Sequence, residues 1–145
     1  MGKKLSKRLA EIVDALPIVE SMRILEIGCG PGAAARELAR RIGKGHVLAI
    51  DRSEKAIQQA IAGSEVEIKS GKLSFRQSAA EHFELEKGEQ RYDMAFAVRV
   101  GALDGRHPEI EKQVLSKIAK ALKPNGKLFI DDGDPLKEIA LDKWN

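Results

Sequence analysis

Seven consecutive residues, Glu26-Ile27-Gly28-Cys29-Gly30-Pro31-Gly32, carry the strongest chemical signal in the chain. Glycines at alternate positions let a backbone turn with positive φ and let a ligand approach it closely. The alanine-rich run Ala33-Ala34-Ala35 comes next. A helix starting there presents unpaired N–H groups and a positive dipole end. The stretch therefore reads as the floor of a pocket for a nucleotide-like ligand. Asp51 ends a second apolar run, where a carboxylate can bind ribose hydroxyls. Other groups are more ambiguous. His107, in Asp104-Gly105-Arg106-His107-Pro108, is a candidate general base for a substrate hydroxyl or amine, or simply a helix-entry residue. Arg99 and Arg106 either clamp an anionic substrate or lie solvated. The carboxylates of Asp131-Asp132-Gly133-Asp134 could hold a divalent cation. Helix capping and loop solvation account for them better, so no metal is expected. Cys29 sits inside the glycine loop and reads as structural.

Alternating elements must position these groups. Leu5, Leu9, Ile12, Val13 and Leu16 recur at helical spacing until Pro17 ends the pattern. This leading helix, residues 1–17, lies over the pocket or covers a sheet. Residues 22–28 form a first strand, and residues 32–42 a helix. Val47–Asp51 is a second strand whose continuous apolar run suits a parallel sheet covered on both faces. Ser53 caps a helix carrying Ala56, Ile57, Ala60 and Ile61 on one face. Residues 72–77 alternate as a third strand, and residues 78–90 read as a short helix plus loop. Met94–Val98 is a fourth strand. An amphipathic helix runs from Ile110 to Leu122 and stops at Lys123-Pro124-Asn125-Gly126. Leu128–Ile130 is a fifth strand. Asp134 and Pro135 then read as the cap and first position of a last short helix. This order predicts one α/β domain over residues 1–145, with a doubly wound parallel sheet of about five strands. Ligands in such sheets sit beyond the carboxyl ends of the strands.

The chain has 145 residues, 43% hydrophobic and 32% charged, enough for a single core. Its net charge of +3 permits an anionic partner without demanding one. Aromatic residues make up only 4%, which argues against stacking platforms for single-stranded nucleic acid. One cysteine excludes an internal disulfide and a cysteine-based zinc site. No apolar run approaches the ~20 residues needed to span a bilayer. Gly2 with Ser6 touches a myristoylation pattern, but no second anchor accompanies it. A cytoplasmic protein with no membrane partner is expected.

Two ligands compete for the loop. Gly28-x-Gly30-x-x-Ala33 satisfies a loose dinucleotide fingerprint, with Asp51 on the ribose. The alternative spacing, Gly28-x-Gly30-x-Gly32 after Glu26, favours a cationic ligand group, because a carboxylate repels a pyrophosphate.

Leu25-Glu26-Ile27-Gly28-Cys29-Gly30-Pro31-Gly32 resembles the first motif of class I S-adenosylmethionine-dependent methyltransferases. Later segments follow in that family's order. Val47 to Ser53 resembles its second motif, Arg91 to Ala97 its fourth strand, and Leu122 to Leu128 the turn before its fifth. The resemblance covers residues 20–135. It implies S-adenosylmethionine as cofactor and methyl transfer to a small-molecule acceptor as activity. It also implies that Gly28, Gly30 and Gly32 admit the ligand and that Glu26 holds the loop or the ligand's ammonium. Asp51 would take both ribose hydroxyls, Arg52 and the Ala80 backbone would meet the adenine, and Val98 would line the methionine side. Direct displacement at a sulfonium needs alignment more than a nucleophile. A non-catalytic cofactor-binding or interaction module and an NAD(P)-binding oxidoreductase are the alternatives. Two features depart from the family. Ala79 stands where relatives carry an acidic contact to the adenine amino group. The two strands that normally close the sheet after strand five are also missing, so strand five should be a bare edge, open to pairing in a homodimer. The strand-four end lacks the Asn-Pro-Pro-Tyr type of motif that holds a flipped base, and no nucleic-acid substrate is expected.

Overall fold

The computed structural model describes residues 5–144. Met1–Lys4, which include Gly2 and the start of the expected leading segment, lie outside the described residues, as does Asn145.

The elements run α1 (Lys7–Ala15), β1 (Arg23–Ile27), α2 (Ala33–Arg41), β2 (His46–Asp51), α3 (Glu54–Ala62), α4 (Glu65–Lys69) and β3 (Leu73–Gln77). They continue with β4 (Tyr92–Ala97), α5 (Glu111–Ala121), β5 (Leu122–Ile130) and β6 (Lys137–Ile139). One sheet has the order β3-β2-β1-β4-β5-β6. The first five strands are parallel and β6 is antiparallel to β5. The order reverses between β1 and β4, which opens a crevice at their carboxyl ends.

Alternation along the strands supplies two apolar layers. Leu25, Ile27, Leu48, Ile50, Ala95 and Ala97 face α5, where Val114, Leu115 and Ile118 pack on them. Ile24, Val47, Ala49, Met94 and Phe96 face the other way, onto Ala35, Leu38 and Ala39 of α2. Ile12 and Val13 of α1 are fully buried, and Val13 joins this second layer. Ser6 caps α1 with its Oγ, which accepts from Leu9 N at 3.1 Å, and Ser53 caps α3 through Ala56 N in the same way.

The sheet has six strands where about five were expected. Between β3 and β4 the expected short helix is the 3-10 turn Ala80–His82, followed by loop. Two expectations about the end of the chain are corrected. The short helix expected after Asp134 is instead the strand β6. Leu136 packs on the α2 layer and Ile139 on the α5 layer. Residues three apart share a helix face but fall on opposite sheet faces, so the chain is extended there. The β5 edge is therefore not bare, because β6 pairs with it over Leu128–Ile130. That removes the physical reason for a homodimer through this edge. Among the described residues no helix is long and apolar enough to cross a membrane.

Candidate functional site

The glycine loop leaves β1 and is tied down at each step. Gly28 N–H and Cys29 N–H both donate to the Ile50 carbonyl at 2.9 Å. Gly30 N–H donates to Asp51 Oδ2 at 2.9 Å. Buried Arg36 reaches back from α2 to the Pro31 carbonyl at 2.8 Å and to Ser64 Oγ at 2.9 Å. Gly28, Gly30 and Gly32 have φ of +74°, +53° and +91°, in the left-handed region where glycine is favoured. Their surroundings differ. A Cβ on Gly30 would meet nothing within 4 Å, whereas one on Gly32 would lie 3.0 Å from Arg36, 3.1 Å from Phe75 and 3.2 Å from Ala60. Gly30 thus faces open space, and Gly32 is a packing position at the start of α2.

Two cavities, each about 300 Å³, meet at Gly28. The first lies beyond β2 and β4. Asp51, Arg52, Ser78 and Ala80 line one side, and Arg99 and His107 the other. The second lies under α1, with Glu26, Gly28, Gly30 and Val98 on its floor and wall. Arg99 borders both. The structure therefore brings eight of the nine expected site residues to two adjoining cavities. Gly32 alone lines neither.

The electrostatics of the floor are distinctive. Glu26 sits between Ala49 and Phe96 in the sheet register and is 3% exposed. Its Oε1 has no hydrogen-bond partner. Burial, reinforced by the nearby Asp51 charge, pushes its carboxyl up to about 8. Asp51 Oδ1 accepts from Ser53 N–H at 2.9 Å and Oδ2 from Gly30 N–H, so each oxygen keeps a lone pair for a ligand. Burial, then the Glu26 charge, holds the Cys29 thiol far above its ordinary range, which removes it as a nucleophile.

The far wall is built around Arg99. This non-glycine residue has φ of +57°. Its N–H donates to Asp131 Oδ1 at 3.1 Å, and its carbonyl accepts from Arg106 Nη2 at 2.8 Å. Arg106 also pairs with Asp104 at 2.9 Å. Arg106 is thus a loop brace, not a free anion clamp. His107 stands at the cavity mouth with its side chain 59% exposed, 3.4 Å from Glu109. Asp131 holds the Arg99 backbone. At the position after β3, Ser78 lines the cavity in place of an acidic group, and Glu81 does not.

A glycine loop after β1, an acidic residue ending β2 and a six-stranded sheet reversing at β1/β4 form a known combination. A methyltransferase domain model matches residues 18–144. This chain belongs to the methyltransferase domain family. An O-methyltransferase of Aspergillus nomiae is 29% identical over 134 residues, which are 89% of this chain and 56% of that protein. A sterol 24-C-methyltransferase of Aspergillus fumigatus is 28% identical over 109 residues, 75% of this chain and 27% of that protein. The chain thus spans about half or less of the length of these relatives. Phosphoethanolamine N-methyltransferase 1 of Haemonchus contortus, solved with phosphoethanolamine and S-adenosylhomocysteine, superposes with a TM-score of 0.69. It is 21% identical, with 85% of this chain and 24% of that one covered. Oxygen, carbon and nitrogen acceptors occur among these three names, so the shared fold does not select the acceptor atom.

Of the two placements the sequence left open for the leading helix, its first turn takes the one over the pocket, but sequence reasoning named none of the residues there as part of the site. Ser6, Arg8 and Leu9 line the second cavity. The apolar stripe signalled the helix, but a polar residue beside that stripe carries no sequence mark of facing a cavity.

Proposed function

We propose that this domain binds S-adenosylmethionine across the two cavities and transfers its methyl group to a small-molecule acceptor. The observation that carries this is the buried Glu26 with its unpartnered Oε1 on the floor of one cavity. Leaving such a group unpaired is costly, and a ligand ammonium satisfies it. A pyrophosphate brings only acceptor oxygens and leaves Oε1 without a donor, which disfavours a nicotinamide dinucleotide.

The residues then divide the work. Asp51 offers its remaining lone pairs to the two ribose hydroxyls. Arg52 and the backbone at Ser78 and Ala80 border the adenine. Gly30 presents an open backbone face to the ligand, and Val98 walls the methionine side. The bound cofactor supplies an electrophilic methyl group, and the protein contributes alignment and exclusion of water. His107, at the mouth of the first cavity, is the candidate base for an acceptor proton. The likeness to an O-methyltransferase and a sterol 24-C-methyltransferase supports a small-molecule acceptor, with no nucleic acid or membrane required. A chain that depends on no disulfide suits the reducing cytoplasm, the compartment we propose.

Calorimetry with S-adenosylhomocysteine and with NAD tests the cofactor. The first should bind and the second should not. An acceptor panel monitored for S-adenosylhomocysteine release tests turnover. Binding without release across the panel would favour a non-catalytic cofactor-binding module.

A further inference from the structure

The cavity beneath α1 has a chemical asymmetry that Glu26 alone does not explain. One buried carboxylate lies on its floor, and Arg8 lines it from α1. Arg8 lies one turn before Ile12, exposed beside the apolar stripe, next to Leu9, which lines the same cavity. Ile12 and Val13 are fully buried, so the second half of α1 is anchored. Its first turn, capped by Ser6, projects over the cavity. The Arg8 side chain makes no hydrogen bond or ion pair among the described residues.

A carboxylate and a guanidinium that line one cavity of about 300 Å³ complement a zwitterion. An α-amino acid group is one, with an ammonium for the floor and a carboxylate for the helix. We propose that Arg8 binds the α-carboxylate of the methyl donor while Glu26 takes its ammonium, so that α1 closes over the bound ligand. This rests on the methyl-donor assignment made above. Arg99 is the other guanidinium in reach, but it borders both cavities. It therefore stands near the junction where the donor's sulfonium would lie and where a cation is repelled. Arg8 borders the Glu26 cavity alone. Arginine is suited to the task because its fork matches a carboxylate bidentately.

Two ligands separate this contact from the rest of the site. S-adenosylhomocysteine carries the amino-acid end, and 5′-methylthioadenosine lacks it. In calorimetry at low salt, Arg8→Gln should weaken S-adenosylhomocysteine by roughly tenfold or more, the size of one charge-assisted bond. It should leave 5′-methylthioadenosine unchanged within about twofold, because no contact to the nucleoside is removed. Arg8→Lys should recover part of the loss. Amide exchange in α1 should slow on adding S-adenosylhomocysteine to the wild type, and the slowing should disappear in Arg8→Gln. Equal losses for both ligands, or none for either, would overturn the inference while leaving the methyl-donor reading intact. Failure of the wild type to bind S-adenosylhomocysteine would remove both.

Discussion

Glu26 is where one residue decides the most. The sheet holds it between Ala49 and Phe96, out of water, with one oxygen unused. Its carboxyl is pushed up to about 8, by burial first and the Asp51 charge second. An acid raised in the folded state stabilises the fold fully below its unfolded value, and that contribution is lost as pH rises through the folded value. Without ligand, the Glu26 contribution is therefore complete below about 4.5 and gone above about 8. Glu26→Gln should raise the melting temperature at pH 8.5 and leave the difference small near pH 5. With ligand the sign reverses. An ammonium keeps the carboxylate charged, so binding below pH 8 releases a proton, and affinity should climb by up to about tenfold per pH unit. Calorimetry of S-adenosylhomocysteine in buffers of different ionisation enthalpy reads that proton directly. No proton release at pH 7 in the wild type, or the same release in Glu26→Gln, would reject Glu26 as the ammonium partner.

At the scale of the element, the loop between β1 and α2 divides its glycines between two tasks. Both Gly30 and Gly32 occupy left-handed backbone, which costs an alanine roughly 1–2 kcal/mol. Only Gly32 is also hemmed in, by Arg36, Phe75 and Ala60. Gly32→Ala should therefore lower unfolding stability by about 1–3 kcal/mol more than Gly30→Ala, the usual range for overpacking. Binding should show the opposite order. A methyl on Gly30 enters the space left for the ligand and should weaken S-adenosylhomocysteine at least about tenfold, the equivalent of one lost contact. Gly32→Ala, once folded, should bind nearly as the wild type does. Urea unfolding and calorimetry on the same two variants check this. Equal effects of the two substitutions on both quantities would mean that the loop acts as one unit. This division was invisible in the sequence, because glycine spacing states that a backbone must bend and says nothing of which bend faces ligand. Glu26 and Asp51 were legible because they end or interrupt apolar strand runs. Arg8 was not, because its role depends on how α1 docks across α2, a tertiary fact with no local signature.

At the scale of the molecule, the alternation of strands and helices was readable because each strand is an apolar run bounded by turn residues. The end of the chain was not. Asp134-Pro135 carries the marks of a helix start, yet Leu136 and Ile139 serve opposite faces of the sheet, and burial on both faces overrides a capping preference. That correction changes the expected assembly. With β6 paired to Leu128–Ile130, the sheet now ends on a three-residue strand carrying exposed Lys137 and Glu138. Short, charged edges resist pairing with a second copy. The other edge, β3, is five residues long and carries Arg76. The 145-residue chain should therefore scatter light as a monomer at high concentration. Deleting residues 136–145 should reverse this. It uncovers the β5 edge and strips Ile139 and Leu141 from the apolar layer over α5. The deleted form should melt at lower temperature and associate in a concentration-dependent way. A dimer of the intact chain, or a deleted form that stays monomeric and equally stable, would show that β6 is not what closes this sheet.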